Sequence, residues 1–142
     1  MQDSKSVNVP IPVGTKLSAE QCPKTQEEEE DMSRVSYASA VGSLMYAMVF
    51  TRPEIAHAVG VLIKFMSKPG KEHWTIVKWV FRYSHRTSDY GLCYQGRLGL
   101  DRILDIHGFF DAEWAEDLHQ RISTSGYVLS LFGGVVSWMS KR

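Results

Sequence analysis

The sequence predicts an α+β fold, within the broader α/β class, in which helices come first and an antiparallel sheet follows. Apolar residues recur at helical spacing between residues 35 and 86, whereas beyond Thr87 they form the short runs typical of strands. A hydrophobic content of 44% in 142 residues is enough for a packed core. We therefore divide the chain into a tail (1–34), a helical region (35–86) and a sheet region (87–142).

The tail lacks a sustained apolar period. It holds three of the five prolines, Pro10, Pro12 and Pro23, and an acidic run over residues 27–31. This composition predicts a disordered or extended linker. Its apolar residues would then have no surface to cover; they are Val7, Val9, Ile11, Val13 and Leu17.

Three helices are predicted, over residues 35–50, about 52–66 and about 71–84. Thr51 can cap the second helix, and Pro53 is tolerated in its first turn because its missing N–H would be unpaired there anyway. Pro69 and Gly70 separate the second helix from the third. Three successive amphipathic helices can bury one another.

Four apolar runs predict strands, over residues 91–94, 103–110, 127–132 and 135–138. The glycine pair at 133–134 lies between the last two runs and predicts a hairpin. Asp111 is expected at the end of the second run, followed by Glu113, Glu116 and Asp117. A carboxylate at such a place is often part of a metal site.

The net charge is zero, with 16 basic and 16 acidic side chains, so no overall field attracts the protein to nucleic acid or to a membrane. Residues 52–86 nevertheless carry seven basic side chains against two acidic ones. A solvated helix face is the favoured interpretation, and a surface that contacts template phosphates is the alternative. Cys22 and Cys93 form no zinc or disulfide pattern, and neither a signal peptide nor a transmembrane segment is visible.

Three ordered motifs occupy the last third of the chain: D-A-E-W-A at 111–115, R-I-S-T-S-G-Y at 121–127 and S-W-M-S-K at 137–141. With upstream segments at 37–46, 51–56 and 69–74, they resemble copia-type retrotransposon polyproteins over residues 35–142. The resemblance implies that 35–86 corresponds to the segment after the polymerase core. It also implies that 87–142 is an incomplete, ribonuclease H-like antiparallel sheet.

In that family the ribonuclease H site resembles a cluster of carboxylates that holds two divalent metal ions. Asp111 is the only match to those carboxylates, and the next one is expected on a helix after the S-W-x-S-K strand. Because Arg142 is the last residue, we expect no catalysis and no cofactor. Asp111, with Glu113, would bind Mg²⁺ only weakly unless another chain completes the site, and a solvated acidic turn is the favoured interpretation.

Other candidate residues are expected to be structural. The five histidines show no ligand spacing, residues 123–125 form a turn signal rather than a nucleophile motif, and the four tryptophans are more typical of core packing than of base stacking. An incomplete sheet would leave apolar surface uncovered, and the adhesive residues are expected to be Val135, Val136, Trp138 and Met139.

The chain is also similar to stand-alone proteins named secreted RxLR effectors of oomycete plant pathogens, although it has no Arg-x-Leu-Arg tetrapeptide. This resemblance implies secretion into the host cytoplasm or nucleus and suppression of immune cell death. We expect a non-catalytic, copia-derived protein that binds a host protein or self-associates through its uncovered sheet. The alternative is an intracellular ribonuclease H or reverse transcriptase fragment that binds or cleaves RNA/DNA hybrid with Mg²⁺ when a partner completes its site.

Overall fold

A computed structural model describes residues 7–94, 106–113 and 124–141. The chain folds as two compact units, a helical unit (Met1–Tyr90) and a sheet unit (Gly91–Arg142). Each unit is described by itself. The order of elements, helices first and then an antiparallel sheet that does not close, confirms the predicted α+β class.

Four α-helices form the helical unit: α1 Gln26–Ser33, α2 Tyr37–Phe50, α3 Ala56–Ile63 and α4 Lys71–Arg86. The first and third predicted helices correspond to α2 and α4. The second was predicted too long, because a 3₁₀ turn over Pro53–Ile55 precedes α3 and the α-helix ends at Ile63. Within the described part of the chain, none of the helices is both long and apolar enough to cross a bilayer.

The core of the helical unit lies between α2, α3 and α4. Its fully buried side chains come from all three helices and the preceding turn: Val41, Ile55, Val59, Leu62, Val77 and Val80. Tyr37 joins α2 to α3, since its hydroxyl donates to the Leu62 carbonyl over 2.9 Å. Burial raises the pKa of Tyr37 to about 12, so this donor keeps its proton at any physiological pH.

Arg52 ties the turn before α3 to the end of α4. Its guanidinium pairs with the Glu54 carboxylate at 2.5 Å and also donates to the Thr87 hydroxyl, which in turn donates to the Tyr83 carbonyl over 2.9 Å. The Arg52 side chain is only 11% exposed, and Thr87 is buried. The Thr-Arg-Pro segment at 51–53 therefore has a structural role.

The N-terminal segment differs from the extended linker that its composition predicts. Val7 is buried in the core, Ile11 and Leu17 pack against it, and the Trp79 indole donates to the Val9 carbonyl over 2.9 Å. Val13, in contrast, is 96% exposed. The expectation that these apolar residues lack a surface was wrong for Val7, Ile11 and Leu17, because α2 to α4 supply that surface.

Helix α1 also lies within the predicted linker. Thr25 caps it, accepting from the Glu28 N–H over 3.3 Å, while the Glu28 carboxylate accepts from the Lys24 N–H over 2.9 Å. Two exposed ion pairs connect α1 to residues before and at the start of α4: Glu29 with Lys68 at 2.7 Å and Asp31 with Lys71 at 2.8 Å. Met32 is its buried residue.

The sheet unit contains three antiparallel strands in the order β1 Ile106–Glu113, β2 Thr124–Leu131 and β3 Gly134–Lys141. Phe132 and Gly133 form the two-residue turn between β2 and β3, with φ of 50° and 77°. Positive φ at both positions is the requirement of the turn type that matches strand twist. The strand predicted over residues 91–94 is absent. These residues form an irregular segment, whose Tyr94 hydroxyl donates to the Val135 carbonyl.

Candidate functional site

Asp111 lies inside β1 rather than at the end of a strand, because the pairing with β2 continues to Glu113. Its partner on β2 is Gly126, whose partner on β3 is Ser140. Side chains that are directly paired in a sheet share a face, so the row across the sheet reads Asp111, Gly126, Ser140. Asp111 is exposed, and the glycine beside it has no side chain to cover the carboxylate.

This row does not supply the ligands of a two-metal site. Such a site needs several carboxylates around two ions about 4 Å apart, and the cross-strand neighbours of Asp111 are a glycine and a serine. His107 shares the strand but lies four residues away, roughly 13 Å along it. Residues 7–94, 106–113 and 124–141 hold no cluster of three His, Cys, Asp or Glu side chains suited to a metal.

Several predicted candidates fall outside the described residues, namely Glu116, Asp117, Trp114, His119 and Ser123. The backbone of Glu113 belongs to β1. The structure therefore brings together Asp111, Gly126 and Ser140, and the predicted acidic cluster around Asp111 stays a prediction.

His73 is completely buried at the start of α4. Its Nδ1 accepts from the Gly70 N–H over 2.8 Å, and its ring stacks on Phe65 at a centroid distance of 3.9 Å. Burial lowers the pKa of His73, which outweighs the opposite effects of the Ser18 backbone and the Glu72 charge. It serves as a neutral helix cap. Trp74 and Trp79 are partly buried against the same core.

The more extensive feature of the sheet unit is an apolar surface, which we call the Phe110 face. It contains large apolar side chains from all three strands that the pairing register places on one side: Ile106, Phe110, Tyr127, Leu129, Leu131 and Met139. The Phe110 and Tyr127 rings lie 6.4 Å apart, and a hollow of about 310 Å³ lies beside them and Met139. The Phe110 side of β1 is opposite to that of Asp111.

Sequence reasoning identified the exposed apolar residues of the sheet unit, on either face, only in part. Met139 and Val136 are exposed as predicted, at 42% and 46%, but Phe110 at 78% and Phe109 at 66% are more exposed and were not singled out. Val136 is the extra residue of a β-bulge, since Leu129 pairs with Ser137 whereas Ser130 pairs with Val135. Successive residues of a strand point to opposite faces, so the order of residues 106–110 could have shown that Phe109 and Phe110 lie on different faces of the sheet.

Comparison with known proteins gives several relatives of high similarity. The chain is 50% identical over 141 residues to the retrovirus-related Pol polyprotein from transposon TNT 1-94 of Nicotiana tabacum, covering 99% of the chain and 10% of that protein. It is 34% identical over 142 residues to the Pol polyprotein from transposon RE2 of Arabidopsis thaliana, 9% of whose length it covers. The chain thus spans about a tenth of these polyproteins.

A third relative is short. The chain is 50% identical over 111 residues to Secreted RxLR effector protein 161 of Plasmopara viticola, covering 78% of the chain and 75% of that protein. No family model matches the chain, and no solved structure matches it. Transposon polyproteins from different plants align with nearly every residue, including the three motifs of the sheet unit. The chain belongs to the family of retrovirus-related Pol polyproteins of copia-type transposons.

Proposed function

We propose that the chain is a non-catalytic protein of copia origin that acts by binding, as a secreted effector that suppresses immune cell death inside plant cells. The observation that carries the binding role is the exposure of aromatic side chains on the sheet, Phe110 at 78% and Phe109 at 66%. The effector role is supported by the 50% identity to Secreted RxLR effector protein 161 over three quarters of that protein.

The energetics of the sheet favour binding. Burying one large apolar side chain is worth about 1.5–3 kcal/mol, and several such side chains lie on this small sheet. Exposed apolar patches of this kind mark interaction sites on soluble domains. Asp111 supports the non-catalytic part of the proposal, because its paired neighbours Gly126 and Ser140 offer no second carboxylate.

The effector role can be tested by transient expression in plant leaf cells together with an elicitor of immune cell death. The native chain should reduce cell death, and Asp111→Asn should do so equally well because the carboxylate is not used. A Phe109→Ser/Phe110→Ser variant should lose the effect.

The matched control for that variant is Val13→Ser, which removes an exposed apolar side chain from the helical unit. It should behave like the native chain at equal protein level. Loss of suppression in Asp111→Asn alone would contradict the non-catalytic role. Cell death that the native chain leaves unchanged would exclude the effector role.

The second candidate is cleavage of RNA/DNA hybrid, favoured by the 50% identity to a Pol polyprotein over 99% of the chain. We propose in this case that a partner chain supplies the carboxylates that Asp111 lacks. Mg²⁺- or Mn²⁺-dependent hydrolysis of a labelled hybrid distinguishes the two candidates, with Asp111→Asn beside Asp89→Asn, an exposed aspartate of the helical unit, as the control. Cleavage that only Asp111→Asn abolishes would establish this candidate in place of the first.

A further inference from the structure

We propose that the outward side of α4 is a docking surface for an acidic segment of another protein, a short stretch of chain rich in Glu and Asp. We call this surface the basic face, and it consists of Lys71, Lys78, Arg82 and Arg86. These residues all belong to the helical unit, and the proposal stands whether or not the effector role does.

The basic face follows from the spacing of residues along α4. Positions 71, 75, 78, 82 and 86 recur every three or four residues, so they line one side of the helix. Glu72, the single acidic residue of α4, lies to the side of this row. The buried side of the helix is formed by other positions, namely Ile76, Val77, Val80 and Tyr83. One side of α4 therefore carries four full positive charges.

Three of these cations have no acidic partner in the part of the helical unit that the structure describes. Lys71 pairs with Asp31 at 2.8 Å, whereas Lys78, Arg82 and Arg86 form no ion pair there. Lys78 and Arg86 are exposed and lie eight residues apart, which is about 12 Å along the helix. This stretch is open to negative charge from a partner.

Arg82, at the centre of the open stretch, is held in a fixed orientation. Its guanidinium carbon lies 5.1 Å from the centre of the Trp79 ring, and the Trp79 indole is anchored by its hydrogen bond to the Val9 carbonyl. The Arg82 Nε is buried without a hydrogen-bond partner among the described residues, so the two terminal nitrogens are the donors that can reach a partner. The N–H groups of a fixed guanidinium bind both oxygens of one carboxylate.

The chain itself shows that an acidic segment fits the start of this surface. In α1, the Glu29 carboxylate pairs with Lys68 at 2.7 Å, and the Asp31 carboxylate pairs with Lys71. Both carboxylates come from a run of five successive acidic residues, 27–31. Helix α1 thus occupies the Lys71 end of the basic face and leaves the other three cations to a second acidic segment.

The surroundings favour a short protein segment over a nucleic acid. Negative charge lies beyond both ends of the open stretch, from Glu72 and α1 on one side and from Asp89, three residues past Arg86, on the other. A nucleic-acid strand carries a phosphate about every 3.4 Å of its axis, so it would continue onto these carboxylates. A helix with acidic residues four positions apart separates them by about 6 Å, which is the spacing of Lys78, Arg82 and Arg86.

Binding to the basic face is expected to be weak and sensitive to salt. Two of its open cations are exposed, and each exposed ion pair contributes little. A dissociation constant of about 10–100 µM at low ionic strength is therefore expected. It should rise at least about threefold between roughly 50 and 300 mM NaCl, because salt screens charges in contact with solvent.

The test is fluorescence anisotropy of a labelled alanine-based helical peptide with Glu at every fourth position, titrated with the full chain to about 500 µM. A peptide with Gln in place of Glu should not bind. Lys78→Gln/Arg86→Gln should weaken binding of the Glu peptide about fivefold. The matched control is Lys16→Gln/Lys24→Gln, which removes the same charge from exposed residues outside α4 and should change binding less than about twofold.

Arg82→Lys provides a second variant, which keeps the charge but loses the planar donor pair and should weaken binding about threefold. Far-UV circular dichroism should show unchanged secondary structure in every variant. A native chain that does not bind the Glu peptide overturns the proposal. Binding that survives both Lys78→Gln/Arg86→Gln and Arg82→Lys, or that falls equally in Lys16→Gln/Lys24→Gln, overturns it as well, because the peptide would then bind elsewhere or respond to net charge alone.

A labelled single-stranded DNA of about 12 nucleotides is titrated in parallel. It should bind more weakly than the Glu peptide at the same salt concentration. Tighter binding of the DNA that is lost in Lys78→Gln/Arg86→Gln would overturn the proposal, because the basic face would then be a site for nucleic acid.

Discussion

Burial and one hydrogen bond both favour the neutral form of the His73 side chain. Its Nδ1 must stay unprotonated to accept from the Gly70 N–H, and its ring is enclosed against Phe65. The Nε2 atom is buried, and its interaction with the Ser18 backbone falls short of hydrogen-bond geometry. A proton on Nδ1 would face the Gly70 N–H, and the resulting charge would have no solvent around it.

The first prediction is that the helical unit loses stability as the pH falls below about 6.5, the ordinary pKa of histidine. Because burial lowers the pKa of His73 in the folded state, the unfolded chain takes up its proton first, which favours unfolding. Stability is therefore complete above that value and declines toward the lower folded pKa. Urea midpoints at pH 7.5, 6.5 and 5.5 should fall in that order.

The control for this pH dependence is His73→Gln, which should lower stability by about 1–3 kcal/mol at pH 7.5 through loss of the buried cap. Its urea midpoint should then depend less on pH between 7.5 and 5.5 than that of the native chain. A variant that keeps the native slope would show that other groups cause the acid sensitivity.

The second prediction concerns Gly70, which is required for space rather than for its backbone angles. Its φ of −102° is available to any residue, but an added Cβ would lie 1.8 Å from the Gln21 carbonyl oxygen. Since this oxygen and the other atoms near the added Cβ belong to the backbone of Gln21 and Cys22, they cannot move aside at low energetic cost. Gly70→Ala should destabilise the protein by about 2 kcal/mol or more in urea unfolding.

Gly42 is the matched position for that experiment. It lies inside α2 with nothing within 4 Å of an added Cβ. Gly42→Ala should stabilise the protein by about 0.5–1 kcal/mol, because alanine loses less backbone freedom in a helix. Equal destabilisation by both substitutions would mean that the segment around Gln21 does not press on Gly70.

At the scale of elements, the sequence predicts those parts whose pattern is local. Helices α2 and α4 repeat apolar residues every three to four positions, and the strands consist of short apolar runs, so both were found. The segment around Val7 consists of bends and turns, and its apolar residues are buried only through contact with helices that are distant in the sequence. Such contacts leave no period in the sequence.

Helix α1 did carry a local signal. The Thr25 and Glu28 spacing is that of a capping box, but the acidic run that follows resembles a solvated linker. Prediction of the candidate site was limited in another way. The end of β1 depends on how far its pairing with β2 continues, and the register places Asp111 opposite Gly126. A single strand does not contain that information.

The third prediction is that the Thr25 cap determines the local stability of α1. This short helix contributes Met32 to the buried set, and its ion pairs to Lys68 and Lys71 are exposed. Exposed pairs of this kind are screened by salt and contribute little. Thr25→Ala should destabilise α1 by about 1 kcal/mol, so its amide hydrogens should exchange about fivefold faster.

Thr75→Ala is the control for the cap. Thr75 is exposed on α4, and its hydroxyl donates back to the Lys71 carbonyl without capping a helix end. Its removal should leave exchange in α1 unchanged. Exchange in α1 that is equally fast in both variants, or unaffected by Thr25→Ala, would assign the stability of α1 to the ion pairs and Met32 instead.

At the scale of the whole molecule, the two units differ in what holds them together. Among the described residues, every buried apolar side chain belongs to the helical unit, from Val7 to Tyr83. In the described part of the sheet unit, the backbone pairing of β1 to β3 is accompanied by apolar side chains that stay partly or largely exposed. Hydrogen bonds alone add little net stability, because water offers the same bonds to the unfolded chain.

The fourth prediction follows from that difference and is made for hydrogen exchange of the intact chain. In dilute solution, amides of α2 and α4 should be protected by the full unfolding free energy of the helical unit, whereas amides of β1 to β3 should exchange much faster. Strand amides as protected as those of α4 would contradict this prediction, and would mean that the backbone pairing and the partly buried side chains of β1 to β3 hold the sheet as firmly as the core holds the helices.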